Sequence, residues 1–246
     1  LQAIGPQYAQ EWITRFGFEE DKHPAYLTMA LGAGSVTPMQ MATAYSVFAN
    51  GGYRINPWLI TRVTEQKGKV LIETKPPVLS ESMRVIDARN AFIMDSLLHE
   101  VACCGTAARA QATLKRTDLH GKTGTTNDSM DAWFAGYQPT LAGVAWMGYD
   151  TPRKLGSSAL ETGGGLSLPI WITYMEHALK GVPIQDMAAP EGVVNAGGEW
   201  TYDEYSRGSG VRSLGLENEA VPGSAPDVQA LPPADEKKRI LDLFKN

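Results

Sequence analysis

Between His120 and Thr126 the sequence His-Gly-Lys-Thr-Gly-Thr-Thr places one lysine, three threonine hydroxyls and two glycines in seven residues, just ahead of a strand-like apolar run. Set on a strand, Lys122, Thr123, Gly124 and Thr125 offer four things to an extended peptide laid beside them. The ammonium of Lys122 attracts a carboxylate, and the hydroxyls of Thr123 or Thr125 donate to the same group, according to the face of the strand each occupies. Gly124 removes a side chain where a substrate backbone must come close. A backbone N–H just after the glycine can point at a developing oxyanion, where one such donor contributes about 3 kcal/mol of transition-state stabilisation. Strand addition would hold the peptide in register. Lys122 and Thr125 are therefore the candidate catalytic residues, and Thr123 and Gly124 join them as the candidate substrate-binding set.

Chain on either side must hold this segment in place. Residues 1 to 20 read as a helix, with Tyr8, Trp12 and Phe16 at i+4 spacing and Gly17 as its stop. Thr37 can cap a second helix whose first position suits Pro38, running to about Asn50 before Gly51-Gly52. Trp58 to Val63 and Lys69 to Thr74 flank a polar turn at Lys67-Gly68 and predict a small hairpin. Asp87 opens a third helix that sets Phe92, Ile93, Leu97 and Val101 on one side and ends at Gly105. From Lys122 the period turns extended. Trp133 to Tyr137 and Leu141 to Met147, joined across "QPT", read as antiparallel strands. After Gly163-Gly164-Gly165, "LSLPIWITYMEHALKG" resumes helical spacing and would lay its apolar face on that sheet.

Beyond Asp186 the periodicity fades, prolines recur, and "GSAPDVQALPPADE" reads as linker, with a short terminal helix expected only at Lys237 to Lys245. Residues 186–246 hold 11 acidic and 6 basic side chains, so the net charge of -5 sits in this extension while residues 1–185 are neutral. A small, mixed charge with no polybasic run excludes nucleic acid as a partner and gives no electrostatic call to anionic lipid. No run approaches 18 apolar residues, and the first twenty lack the order of a signal peptide.

Other chemistry is outweighed by plainer readings. His99 and Cys103 are i,i+4 on a helix, but two ligands make no metal site; a core thiol beside a capping histidine is the simpler account. No metal and no cofactor is expected. Cys103 and Cys104 are adjacent, a spacing that rarely meets the geometry of a normal disulfide. His23, His120 and His177 have no carboxylate or nucleophile at a telling spacing and read as surface or packed residues. Trp133, Trp146 and Trp171 read as core, and Asp131 as a backbone acceptor beside a turn. The glycine run 163–165 has no Lys-Ser or Lys-Thr after it, so it reads as a close-packing device rather than a phosphate loop.

Lys-Thr-Gly alone would occur by chance in roughly 5% of chains this long, so its surroundings decide its weight. "GKTGTTND", then "DAWFAGY" and "GVAWMGYD", resembles the third motif and following hairpin of the penicillin-binding protein transpeptidase domain. In those enzymes and the class A β-lactamases Lys-Thr-Gly accompanies Ser-x-x-Lys and Ser-Asp-Asn. "ALGAGSVTPMQMATAYSVFANGG" resembles the segment after the second motif in class A penicillin-binding proteins. "VACCGTAARA" resembles the helix end before the third motif, and "LETGGGLSLPIWITYM" the final helix across the sheet. The resemblance covers about residues 1–195 and is closest to the bifunctional class A enzymes of Gram-negative bacteria.

The resemblance implies an α+β fold, an antiparallel sheet flanked by helices, incomplete in this chain, with residues 1–185 as the C-terminal part of the transpeptidase domain. It implies a D-alanyl-D-alanine transpeptidase acting on peptidoglycan stem peptides and trapped by β-lactams. Carried over, Lys122 balances charge and meets the substrate carboxylate, Thr123 and Thr125 hold that carboxylate, and Gly124 gives clearance. The Thr125 N–H would share the oxyanion hole with the nucleophile's own N–H. It further implies a periplasmic protein of the inner membrane, with its anchor and glycosyltransferase domain upstream.

No serine here is followed by lysine three residues on or by asparagine two residues on, so neither of the other two motifs is present. The groups that Lys122 would serve must come from elsewhere, and the chain by itself is expected to be inactive. The sequence opens on Leu1-Gln2-Ala3-Ile4 within a helical pattern, and the remainder of the domain, which the resemblance implies includes two strands beside Leu141 to Met147, is expected either upstream in the same chain or as a separate polypeptide. Two other readings stay open: a β-lactamase or β-lactam sensor of the same fold, and a catalytically inactive binding module.

Overall fold

The computed structural model describes residues 1–156 and 160–206. Helix α1 (Pro6–Ile13) begins with proline at its first turn after Gly5, continues as a 3-10 turn (Thr14–Phe16), and stops at left-handed Gly17 (φ 99°). It is shorter than the 20-residue span read from its aromatics, because Pro6 sets its start and Gly17 its end. Helix α2 (Pro38–Ala49) carries a full capping box: the Gln40 N–H donates to Thr37 Oγ1 (3.2 Å) and the Thr37 N–H to Gln40 Oε1 (2.8 Å). Strands β1 (Arg62–Thr64) and β2 (Val70–Glu73) form the small hairpin, turning at Gly68 (φ 84°) and clasped by the Arg62–Glu73 ion pair.

Helix α3 (Ala88–Cys103) is capped by Asp87, whose side chain accepts the Arg89 N–H at 2.9 Å. Its buried face is turned from the one expected: Phe92 is buried as read and Ile93 and Val101 are half-buried, but Leu97 is not. Ala91, Phe92, Asp95, Leu98 and Ala102 turn inward, while Leu97 is exposed. Alanines mark where the helix comes close to a neighbour, and a buried carboxylate among them breaks the apolar pattern that periodicity reads. The adjacent Cys103 and Cys104 at its end are joined as a disulfide, contrary to expectation, where the backbone leaves the helix at Cys104 (φ -137°). A short helix α4 (Ala108–Leu114) follows, ended by Lys115 in the left-handed region (φ 55°).

The central sheet has three antiparallel strands, β3 (His120–Thr125), β4 (Ala132–Gln138) and β5 (Leu141–Met147), in the order β3-β4-β5. A π-helical turn (Gly163–Ser167) leads into helix α5 (Leu168–Ala178), which packs on one face. Gly136 and Gly143, opposite each other on β4 and β5, leave a slot for the Trp171 indole; a Cβ on either would come within 3.1–3.2 Å of its ring. Trp171 Nε1–H donates to Gly143 O (3.1 Å), and its ring meets Phe134 edge-on at 4.9 Å. Leu168, Ile172 and Met175 complete this core with Leu119 from the chain before β3. The opposite face receives α2 and α3, and Phe16, Val47 and Ile86 centre a second cluster beside it.

The fading periodicity beyond Asp186 conceals a hairpin of β6 (Val193–Ala196) and β7 (Glu199–Tyr202), docked on α3. Trp200 meets Phe92 edge-on at 5.0 Å, and Arg89 lies over the Tyr202 ring while bonding Glu204 at 2.9 Å. Strands this short carry too few alternations to be read, and partners more than a hundred residues away hold them. The expected helix at Lys237 to Lys245 lies outside the described residues. Among the described residues no helix is long and apolar enough to cross a membrane.

One buried carboxylate closes the base of the sheet. Asp118 accepts from Arg116 Nε and Nη2 (2.8 and 2.7 Å), from Gln138 Nε2 (3.0 Å) and from the Gln185 N–H (3.0 Å). Arg116 Nη1 and Nη2 also donate to the carbonyls of Val182 and Pro183 (2.7 and 2.9 Å), tying the end of α5 to the start of β3. Burial works to raise the Asp118 carboxyl, but the bonds from Arg116, the Gln185 N–H and Gln138 outweigh it and hold the group below the usual carboxylate range. Its contribution is therefore complete above the ordinary value of about 3.9 and fades as pH falls through that value toward the lower folded one. Asp118→Asn is expected to cost about 3 kcal/mol or more at pH 7, as loss of one partner of a buried pair does. Thermal melts from pH 7 down to pH 3 check it, the gap to the unsubstituted protein narrowing below about pH 4.

Candidate active site

Strand β3 is buried at its start and emerges at its end. His120 and Gly121 are buried, Lys122 is exposed, and Thr123 and Gly124 are half-buried. The Thr126 N–H donates to Asp131 O across the ladder (3.1 Å). With the alternation of an antiparallel pair, the N–H groups of Thr123 and Thr125 then point away from β4, to the outer edge, where no strand pairs among the described residues. That is the orientation an oxyanion donor or an added strand requires.

The register fixes the faces. Lys122 and Gly124 lie opposite Ala135 and Trp133 on the side of α2 and α3, whereas Thr123 and Thr125 lie opposite Phe134 and Ala132 on the side of α5. The lysine and the two hydroxyls thus start on opposite faces, and the Lys122 chain wraps round the edge: its ammonium donates to Thr123 O (3.0 Å) and lies 3.4 Å from Thr123 Oγ1. Thr123 Oγ1 is 3.0 Å from Thr106 Oγ1, at the turn after α3. Thr125 Oγ1 accepts the Gly163 N–H (3.0 Å), which leaves its own hydrogen to donate elsewhere. An anion at this edge is within reach of one ammonium and two hydroxyls.

The glycine-rich turn lies directly on the strands. A Cβ on Gly163 would come 2.2 Å from Trp133 O and 2.4 Å from Gly124 O, so only glycine lets this backbone settle there. The Thr162 side chain caps the turn by accepting the Gly165 N–H (3.1 Å), and Ser167 Oγ donates to Ala132 O (2.7 Å). Past β3 the chain turns through Asp128 (φ 59°) and Ser129 (φ 51°), a left-handed pair of non-glycine residues held by Lys154 on Asp128 (2.9 Å) and the Leu155 N–H on Ser129 O (3.0 Å). The Trp133 and Trp146 rings meet at 5.9 Å, half-buried. Asp131, expected to serve the backbone, instead accepts the Trp146 indole N–H at 2.8 Å.

Behind Lys122 stands a cluster that sequence reading missed. Asp95 of α3 accepts the Tyr137 hydroxyl (2.8 Å) and lies 3.2 Å from His120 Nε2, all three buried. The His120 and Tyr137 rings stack at 4.8 Å and 10°. Burial pushes the Tyr137 phenol far above its usual value, with the Asp95 charge and hydrogen bond adding to it, so Tyr137 stays a neutral donor. Burial likewise raises Tyr45, edge-on to Tyr137, to about 12. Asp95 and His120 lie far apart in sequence and leave no local signal; a polar residue on an otherwise buried helix face is the available hint. Among the described residues no group of three His, Cys, Asp or Glu could hold a metal, and the His99–Cys103 pair is not one, since Cys103 is bonded to Cys104.

Lys-Thr-Gly is one of the three motifs shared by the penicillin-binding proteins and the class A β-lactamases. Residues 1–153 match the family described as penicillin binding protein transpeptidase domain, and the chain belongs to that family, in its class A, Gram-negative form. It is 44% identical to penicillin-binding protein 1A of Neisseria flavescens over 222 residues, 90% of this chain and 27% of that protein. With the Pseudomonas aeruginosa protein of the same name it shares 41% identity, over 79% of this chain and 29% of the relative. The chain thus spans between a quarter and a third of those relatives' length. The crystal structure of penicillin-binding protein 1A from Haemophilus influenzae superposes with a TM-score of 0.74 at 32% identity, over 82% of this chain and 37% of that one. The PonA1 protein of Mycobacterium tuberculosis in complex with penicillin V superposes at 0.59 and 25% identity, over 74% of this chain and 52% of that one.

Gly163→Ala is expected to lift the glycine-rich turn off β3 and release Thr125, at about 1 to 3 kcal/mol for the overpacked contact. Urea unfolding of the substituted protein measures it; a midpoint unchanged from the parent contradicts the packing described.

Proposed function

We propose that this chain supplies the carboxylate-gripping and oxyanion side of a D-alanyl-D-alanine transpeptidase that cross-links peptidoglycan stem peptides and is acylated by β-lactams. The observation that supports it most is the outer edge of β3, with the Thr123 and Thr125 N–H groups facing away from β4 and the Lys122 ammonium wrapped to the same edge. In this reading residues 1–185 belong to the transpeptidase domain and residues 186–246 extend it. The nucleophile, its lysine base and the Ser-x-Asn pair come from chain outside these 246 residues, since no Ser-x-x-Lys or Ser-x-Asn occurs within them.

The donor peptide lies along β3 as an added strand. Its terminal carboxylate meets Lys122 and the hydroxyls of Thr123 and Thr125, and Gly124 lets its backbone come close. The serine oxygen attacks the penultimate D-alanine carbonyl, whose developing negative oxygen is met by the Thr125 N–H and by the N–H of the serine itself. The C–N bond then breaks, D-alanine leaves with its amine protonated, and an amine of a second strand takes the acyl group and frees the serine. Penicillin carries a carboxylate and a reactive amide in the same relation, and PonA1, similar in fold, is described in complex with penicillin V. Transfer of this kind takes place at the periplasmic face of the inner membrane, with an anchor and a glycosyltransferase domain outside this chain.

Fluorescent penicillin tests the assignment. The 246-residue chain alone is expected to take no stable label. In a full-length protein carrying this sequence, Lys122→Ala is expected to slow acylation by about 100-fold or more, the cost of losing a group that acts on the reacting centre. Stable labelling of the isolated chain, or an unchanged rate in Lys122→Ala, overturns it.

A further inference from the structure

The buried cluster behind the edge deepens the proposed function and rests on it. We infer that Asp95 and His120 are positioning residues. With one carboxylate oxygen accepting the Tyr137 hydroxyl on β4 and the other 3.2 Å from His120 Nε2 on β3, Asp95 sets where β3 lies over its neighbour, and thereby where Lys122 and the Thr125 N–H meet the acyl donor.

The geometry supports this in four steps. His120 and Tyr137 are direct cross-strand partners, so a group that contacts both side chains fixes the relative placement of their strands at that rung. Lys122 stands on the same face as His120, one alternation further along, about 7 Å away at strand spacing. Between them Gly121 has no side chain to anchor, and the Lys122 side chain bonds only to the neighbouring Thr123 among the described residues, so on the face that Lys122 starts from the rung at His120 is the nearest tie to the body of α3, the Thr123–Thr106 contact being on the other face and in the turn after the helix. Helix α3 holds the same point a second time, because His99 Nδ1 lies 3.3 Å from the carbonyl of Leu119, the residue before His120.

The chemistry of the pair is directional as well. The Asp95 carboxylate faces Nε2, which favours a proton on that nitrogen, while His120 Nδ1 is buried with no hydrogen-bond partner, so the polar contact to the imidazole comes from the Asp95 side and the Tyr137 ring holds its face. Apolar residues of the same size would fill this space without desolvating a carboxylate. What they would lack is the bond that makes one rung of the sheet answer to one turn of α3.

The test uses the full-length protein, with fluorescent penicillin as the probe and acylation rate and melting temperature read on each variant. His120→Gln keeps an N–H donor for Asp95 and is expected to acylate within about threefold of the parent. His120→Phe keeps a ring against Tyr137 but no donor. Asp95→Asn keeps an acceptor for Tyr137 but turns an NH2 toward Nε2. Both are expected to acylate about tenfold slower or more, as a small misplacement of a catalytic group does, while the folded protein still labels to completion. A purely structural role predicts that all three follow melting temperature, with folded protein acylating at the parent rate; that result overturns the inference. Should His120→Phe fail to fold, the contrast between His120→Gln and Asp95→Asn decides between the same two outcomes. Loss of rate in Lys122→Ala with none in His120→Phe or Asp95→Asn refutes the positioning role and leaves the proposed function standing. No effect of Lys122→Ala removes both.

Discussion

A strand at the edge of a sheet leaves every second N–H and C=O without a strand partner, and in this protein the strand so placed carries Lys122 to Thr125. Exposed edges invite pairing, which natural proteins usually prevent with charge, bulges or cover. Here the charge is present but does not block the edge: Lys122 bends across it and satisfies the Thr123 carbonyl. In the proposed function, a carboxylate arriving at the edge offers that ammonium a better partner, and the strand is then free to pair. One open row of backbone groups therefore accounts for the glycine at 124, the threonines on either side of it and the lysine that guards them.

Several ties in the described fold hold that row in place. From the α5 side, Gly163 sits on the backbone of β3 and β4 and donates to Thr125. Thr106, at the end of α3, meets the Thr123 hydroxyl. From the α3 side, Asp95 and His99 hold His120 and Leu119. At the base, Asp118 and Arg116 join the entry of β3 to the exit of α5. Each of these ties is polar, and all but the threonine pair are made in partly or fully buried surroundings, where a hydrogen bond fixes direction as well as distance.

Local chemistry is legible in the sequence wherever one residue type decides the backbone. Thr37 with Pro38, Asp87, Gly17 and the short connection at Pro139-Thr140 each announce an element boundary, and the structure places a boundary at each. Family resemblance adds the role of Lys122 to Thr125, which a triplet alone cannot carry. What stays hidden depends on partners distant in sequence. The α3 face sets alanines and an aspartate beside Phe92 and Leu98, so periodicity turns Leu97 inward, whereas tertiary contact buries Asp95 and leaves Leu97 exposed. His120 reads as an ordinary packed histidine because its carboxylate is a helix away. The β6–β7 hairpin is held by Phe92 and Arg89, residues that its own composition cannot mention.

In the proposed function, catalysis at this edge depends on where an acyl donor's carboxylate comes to rest. A crystal structure of the full-length protein acylated by a penicillin measures it directly. The expected result is a carboxylate oxygen within about 3.2 Å of the Thr123 or Thr125 hydroxyl, and the former lactam carbonyl oxygen within the same distance of the Thr125 N–H. A carboxylate bound away from the outer edge of β3, with Lys122 still folded onto the Thr123 carbonyl, would contradict it.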